Sequence, residues 1–153
     1  MPRYLAIYLN DHLAGATLGV ELSRRVRDEN GGSELGAFLA ELHREIDEDR
    51  TSLLTLMDEL GVKRSPVKAR AAWVAEKLGR LKLNGQVRGY SPLSPLLELE
   101  GLATGVEAKL ALWLALREVR PDDERLTTLI DRARSQRERL EPHRLAAARR
   151  ALG

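Results

Sequence analysis

The chain has 153 residues, of which 43% are hydrophobic and 31% are charged, so it is long enough for one domain with a real core and short for two. It contains no cysteine, which excludes disulfides, thiolate metal sites and a cysteine nucleophile. The net charge of +2 comes from interleaved charges of both signs, which is typical of solvated helix faces, so nucleic acid is not an expected partner. No apolar run approaches the roughly 20 residues of a membrane span, and "MPRYLAIYLNDHL" lacks the pattern of a leader, so we expect a cytoplasmic protein with no membrane partner.

Leucine, alanine, arginine and glutamate dominate the sequence, which predicts an all-α fold. The first helix is predicted from about Tyr4 to Asp28, where "ENGGS" ends it. Ser33 caps the second helix, which continues to Leu60. This helix ends at Gly61, because glycine tolerates the left-handed conformation at a helix terminus.

Proline punctuates the remaining three predicted helices. A third, shorter helix is predicted over about 65–84, and a fourth begins at Ser94–Pro95 and reaches Val119. Asp122 is the predicted cap of the fifth helix. The fifth helix carries Pro142 in its interior, where we expect a bend or a break because proline has no amide to donate.

Short loops join the first helix to the second and the fourth to the fifth, which predicts two antiparallel αα-hairpins. The third helix lies between the hairpins, where a four-helix bundle needs a crossover. We therefore expect a single domain over 1–153, a ferritin-like antiparallel four-helix bundle with an additional shorter helix. A compact orthogonal array of five helices is the alternative.

Two segments carry a resemblance to a known family. In "LGAFLAELHREIDEDRTSLLTLMDELGV", His43 precedes Glu45, and Leu54 and Gly61 follow in a helical pattern that closes on glycine. The segment "LELEGLATGVE" supplies a Glu–Gly–Leu helix. Both resemble the YciF-like, stress-associated branch of the ferritin-like superfamily. The resemblance implies a small helix bundle linked to stress responses, with carboxylates and histidines in its core and no well-defined activity.

Residues of the metal-ligating types fall on three of the predicted helices. The fourth helix has a stripe that places Glu100 and Glu107 on the core side, and His12 lies among apolar residues of the first helix. Glu45 and Asp49 interrupt the apolar stripe of the second helix. One hypothesis is therefore a metal-binding or metal-dependent redox protein that holds Fe or Mn in a nonstandard carboxylate and histidine site.

The residue pattern also argues against that hypothesis. None of the helices carries the Glu-x-x-His pair that two helices of a di-iron carboxylate bundle supply. Arg137 lies where the fifth helix should offer a ligand, and an arginine can neutralise buried carboxylates in place of a metal. We therefore expect Glu45 and Asp49 to form a polar layer closed by Arg137, and Glu100 and Glu107 to be buried and paired with arginine or lysine.

The preferred interpretation is a structural or interaction protein whose di-metal site is incomplete. It assigns no catalytic residue and no cofactor, and whether the chain is an enzyme stays open. The expected partner is a protein, with a homodimer as one form of it. The metal-binding alternative also stays open.

Overall fold

The computed structural model describes residues 3–66 and 90–153. These residues form four α-helices, α1 (Arg3–Glu29), α2 (Glu34–Glu59), α3 (Leu93–Val119) and α4 (Glu124–Leu152), and the two described ranges contain no strand. The all-α prediction is therefore confirmed for the part of the chain that is described. Helices α3 and α4 are the fourth and fifth predicted helices. The third predicted helix lies outside the described residues except at 65–66, which are not helical.

The chain divides into two compact units, Met1–Arg80 and Leu81–Gly153. The first unit contains a hairpin of α1 and α2, and the second contains a hairpin of α3 and α4. Both predicted αα-hairpins are thus confirmed. The single-domain organisation and the ferritin-like arrangement of the hairpins stay predictions.

The turn of the first hairpin follows local sequence chemistry. Ser33 caps α2 as predicted, because its Oγ accepts a hydrogen bond from the Gly36 amide at 3.0 Å and donates one to the Asn30 carbonyl at 2.6 Å. Gly36 packs directly against the Asn30 carbonyl, which leaves no room for a side chain there. Helix α2 ends at Glu59 with Leu60 as its C-cap, and the next residue, Gly61, has a φ of 63°, so the predicted glycine terminus is also confirmed.

The start of α3 lies one residue before the predicted Ser94–Pro95. Pro92 occupies the N-cap and makes no side-chain capping bond, and the Oγ of the preceding Ser91 accepts from the Leu93 amide at 3.2 Å. Ser94 reaches back so that its Oγ accepts from the Ser91 amide at 3.1 Å. The hydroxyls of the two serines thus satisfy the amides of Ser91 and Leu93 at the start of the helix.

The cap of α4 corrects the sequence prediction by one residue. Asp123, not Asp122, occupies the N-cap, and its carboxylate accepts from the Arg125 amide at 3.2 Å. The side chain of Arg125 also donates to Asp123, through Nη2 at 2.7 Å. A capping pattern in the sequence cannot distinguish Asp122 from Asp123, because both are aspartates. In the structure, the additional ion pair with Arg125 distinguishes Asp123.

A bend or a break was predicted at Pro142; helix α4 continues through this residue, so the break is wrong, and the bend stays a prediction. Proline removes one backbone donor, yet the turns on either side of it are joined by side chains. Glu141 accepts from Arg137, one turn earlier, and from Arg144, just past the proline. This cross-link holds the helix where the backbone ladder loses a hydrogen bond.

Each hairpin is packed mainly through leucine. On α2 the buried residues recur at alternating steps of four and three, a spacing that keeps one seam facing its neighbour. This seam consists of Leu35, Leu39, Leu42, Ile46, Asp49, Leu53 and Leu56. On the second hairpin, Trp113 is the largest of the fully buried side chains. No helix in the described ranges has the length and apolar character needed to cross a membrane.

Candidate functional site

Five charged side chains connect α3 to α4 in what we call the arginine–glutamate network, which comprises Glu100, Glu107, Arg137, Glu141 and Arg144. Arg137 Nε lies 3.3 Å from Glu107 Oε1, and Arg144 Nη1 lies 3.5 Å from Glu100 Oε1. Glu141 lies between the arginines, 2.6 Å from Arg137 Nη1 and 2.5 Å from Arg144 Nη2. The two glutamates of α3 and the two arginines of α4 are both seven residues apart, so antiparallel helices bring them into register.

The structure corrects the predicted burial of Glu100 and Glu107. Their side chains are 47% and 58% exposed, so both lie at the rim of the helix pair and not in its core. The buried side of α3 instead presents Leu99 and Leu102, and the buried carboxylate of this helix belongs to Glu98. The predicted pairing with arginine is nevertheless confirmed, since each rim glutamate contacts one arginine of α4.

Glu141 and Arg144 keep their charges across the neutral pH range. The hydrogen bonds from Arg144 and Arg137 lower the pKa of Glu141 from its ordinary 4.5 to about 2. The same bond to Glu141 raises the pKa of Arg144 above its ordinary value. A carboxylate with such a low pKa is a poor general base near neutral pH, so Glu141 has the character of an ion-pair partner and not of a general base.

On α2, Glu45 and Asp49 lie on the buried side, as the sequence predicted. Asp49 is only 2% exposed and occupies a position in the leucine seam, and Glu45 is buried one turn before it. Buried carboxylates must be paired or protonated. The ion pairs of Arg137 that the structure shows lie in the second hairpin, with Glu107 and Glu141, so its predicted role in closing the layer around Asp49 stays a prediction.

His12 lies on α1 in an aromatic setting. Its ring is half-buried and makes an edge-on contact with Tyr8, with ring centroids 4.6 Å apart. Burial lowers the pKa of His12 below its ordinary 6.5, although the neighbouring Asp11 acts in the opposite direction. The imidazole is therefore neutral at physiological pH, which is the protonation state of a ligand and equally of a packed core histidine.

The residues proposed as metal ligands do not form one cluster in the described structure. Within 3–66 and 90–153, no three histidine or acidic side chains lie close enough together to hold a metal ion. Three of the candidates belong to the first hairpin and two to the second, where arginines bind them. The five are His12, Glu45, Asp49, Glu100 and Glu107.

Sequence reasoning missed a buried asparagine on α1. Asn10 is only 4% exposed, and its carboxamide contacts the main chain of residues 63–65, just beyond the end of α2. The available signal in the sequence was the position of Asn10, a polar residue, next to Leu9 on an apolar helix face. The residues that Asn10 binds lie more than fifty positions away in the chain, so no local pattern indicates the contact.

Two further polar contacts join facing helices. Ser23 Oγ lies 2.9 Å from His43 Nδ1 across the first hairpin, and Ser23 also donates to the Val20 carbonyl at 3.0 Å. On the second hairpin, Lys109 Nζ donates to the buried Gln136 Oε1 at 2.5 Å. These contacts fix the rotation of the helices about their axes.

Comparisons of the chain with protein-family models, with curated proteins and with solved structures give no match. The YciF-like resemblance therefore stays a prediction that rests on the residues around His43 and in the fourth predicted helix.

Proposed function

We propose that the protein is a non-catalytic helical interaction protein, in which arginine side chains and not a metal ion neutralise the rim carboxylates of α3. The arginine–glutamate network is the observation that carries this proposal. Glu100 and Glu107, which would have been metal ligands in the alternative hypothesis, each contact a guanidinium. Arginine stays protonated at every physiological pH, so these cations do not leave their partners by titration.

The network also opposes the entry of a metal electrostatically. A divalent cation that bound Glu107 would have to approach Arg137, whose Nε lies 3.3 Å from that carboxylate. Two positive groups at such a distance repel each other unless one moves away. A metal would therefore have to displace Arg137 from both Glu107 and Glu141, which makes this part of the fold a poor cation site.

The outer face of α3 supports a role in binding another protein. A helix that borders solvent usually carries charged residues on its outer side. On α3 the exposed positions at steps of three and four include a column of uncharged side chains, namely Thr104, Ala108, Ala111, Ala115 and Val119. Small side chains permit close approach of a second helix, and a second copy of the chain would present the same column.

Thermal unfolding with added metal tests the first part of the proposal. We expect Fe(II), Mn(II) and Zn(II) to leave the Tm unchanged. A metal bound only to the folded state at 100 times its Kd would instead add about 2.7 kcal/mol to the free energy of unfolding. An increase in Tm with one of these metals, abolished by Glu107→Gln or Asp49→Asn, would contradict the proposal and favour a metal-binding or redox protein.

Sedimentation velocity over a series of protein concentrations tests the second part. We expect the wild-type chain to form a dimer as concentration rises, and Ala111→Arg to remove the dimer by placing a charge in the uncharged column. Ala40→Arg is the matched control, because Ala40 is also exposed but lies on α2. A wild-type chain that stays monomeric, or a dimer that both variants keep, would contradict self-association through α3.

A further inference from the structure

The carboxamide of Asn10 binds the main chain that leaves α2. Its Nδ2 donates to the Lys63 carbonyl at 3.1 Å, and its Oδ1 accepts from the Ser65 amide at 2.7 Å. A third bond, from Nδ2 to the Ala6 carbonyl at 2.8 Å, fixes the carboxamide on its own helix. The bonds that the Asn10 carboxamide makes with residues 63–65 are thus both to backbone groups.

This pattern reproduces the pairing of a parallel β-ladder. In a parallel ladder, one residue donates to a carbonyl of the neighbouring strand and accepts from the amide two residues further along that same strand. The Asn10 carboxamide makes the same pair of bonds, with the Lys63 carbonyl and the Ser65 amide. Such pairing recognises an extended main chain and does not depend on the side chains. Lys63 and Arg64 are accordingly exposed, while the backbone between them is held.

The other attachments of this stretch are weaker or lie before it. Val62 is buried and its amide donates to the Met57 carbonyl at 2.8 Å, but this bond only ends the helix. Arg64 pairs with Asp58 at 2.8 Å through side chains that are largely in solvent, and an exposed ion pair contributes little. Asn10 therefore provides the buried attachment of residues 63–65 among the contacts described.

We propose that Asn10 is a latch that shields a proteolytic cleavage site at Lys63–Arg64, and that opening the latch lets a protease specific for basic residues separate the first hairpin from the rest of the chain. Proteases bind their substrates as extended strands through main-chain hydrogen bonds. The Lys63 carbonyl and the Ser65 amide, which such a protease would engage, are occupied by Asn10. Hydrolysis adds water across the Lys63–Arg64 bond and leaves a carboxylate on Lys63 and an amine on Arg64.

Limited trypsin digestion of the full chain tests the latch with an isosteric change. Asn10→Asp keeps the acceptor for Ser65 but replaces the donor by an oxygen that faces the Lys63 carbonyl, so we expect cleavage after Lys63 to accelerate by roughly tenfold or more. The control is Asn30→Asp, because the Asn30 carboxamide donates to the Val26 carbonyl at 2.7 Å in the turn before α2. Mass spectrometry of the 1–63 fragment identifies the bond that is cut.

Amide hydrogen exchange separates a local opening from loss of the whole fold. We expect Ser65 to exchange roughly tenfold or more faster in Asn10→Asp, while buried helix amides such as that of Leu53 keep their wild-type rates. Equal acceleration of both amides would contradict the latch, because Asn10 would then stabilise the hairpin as a whole. Cleavage no faster than in Asn30→Asp would contradict it as well.

Discussion

Two neighbouring residues on α3 give opposite expectations for stability. Leu99 is fully buried, whereas the Glu100 side chain is 47% exposed. We expect Leu99→Ala to lower the free energy of unfolding strongly and Glu100→Ala to leave it nearly unchanged. The sequence stripe predicted the reverse situation for Glu100, with a buried carboxylate whose loss would be costly, so this pair of variants tests the rotation of α3 about its axis.

The magnitudes follow from the surroundings of each side chain. Truncating a buried leucine costs about 2–5 kcal/mol, depending on how far the cavity collapses. The 3.5 Å contact of Glu100 with Arg144 is an exposed ion pair of the kind that contributes about 0–1 kcal/mol. Alanine returns a few tenths of a kcal/mol of helix propensity, and Arg144 keeps Glu141 as a partner. The expected net change for Glu100→Ala is therefore within about 0.5 kcal/mol.

Urea denaturation followed by circular dichroism measures both variants against the wild type. The comparison is valid where the slope of the unfolding free energy against urea stays the same in all three proteins. A loss of several kcal/mol for Glu100→Ala would show that the carboxylate is buried. A neutral Leu99→Ala would equally refute the orientation of α3.

Three further predictions follow from local geometry. Gly36→Ala should lower the urea midpoint, because the new methyl group would meet the Asn30 carbonyl. Gly15→Ala should raise the free energy of unfolding by up to about 1 kcal/mol, since nothing lies within 4 Å of the added methyl group. Equal effects of the two substitutions would contradict this difference. Burial lowers the pKa of His12, so the contribution of this residue to stability is present above pH 6.5 and is lost as the pH falls below that value. His12→Gln should therefore weaken the dependence of the Tm on pH in this range. The pKa of Glu141 is about 2 instead of 4.5, so the contribution of this residue to stability is present above pH 4.5 and is lost as the pH falls towards 2. Glu141→Gln should remove that part of the loss of stability in acid. An unchanged dependence of stability on pH in this variant would show that the two arginines do not bind Glu141.

Features set by local chemistry could be read from the sequence. The bounds of α2 were predictable, because the side chain of Ser33 caps its start and the positive φ of Gly61 follows its end. The cap of α4 was misplaced by one residue because Asp122 and Asp123 are chemically identical. Of the bend or break predicted at Pro142, the break was wrong, because α4 continues through the proline, next to which Glu141 binds Arg137 and Arg144.

The rotation of α3 was not predictable from periodicity. Its apolar residues occur on most of its circumference, so several stripes fit the sequence equally well, and the one through Glu100 and Glu107 was incorrect. The pairing of these glutamates with arginine was predictable from residue type, since charges at a helix interface require a partner. The contact of Asn10 with the Lys63 backbone depends on the path of a distant segment, which no local pattern encodes.

The ferritin-like arrangement, the YciF-like resemblance and the single-domain organisation stay predictions. Their outcome depends on how α1 and α2 are arranged with α3 and α4, and on the third predicted helix, which lies outside the described residues. The proposed function rests instead on contacts within one hairpin, between Arg137, Arg144 and their glutamates.

Elemental analysis of the protein purified without chelators tests the central claim most directly. The arginine–glutamate network predicts that iron, manganese and zinc are present only in traces, well below one ion per chain. Stoichiometric amounts of any of these metals in the folded protein would contradict the claim that arginine has taken the place of a metal.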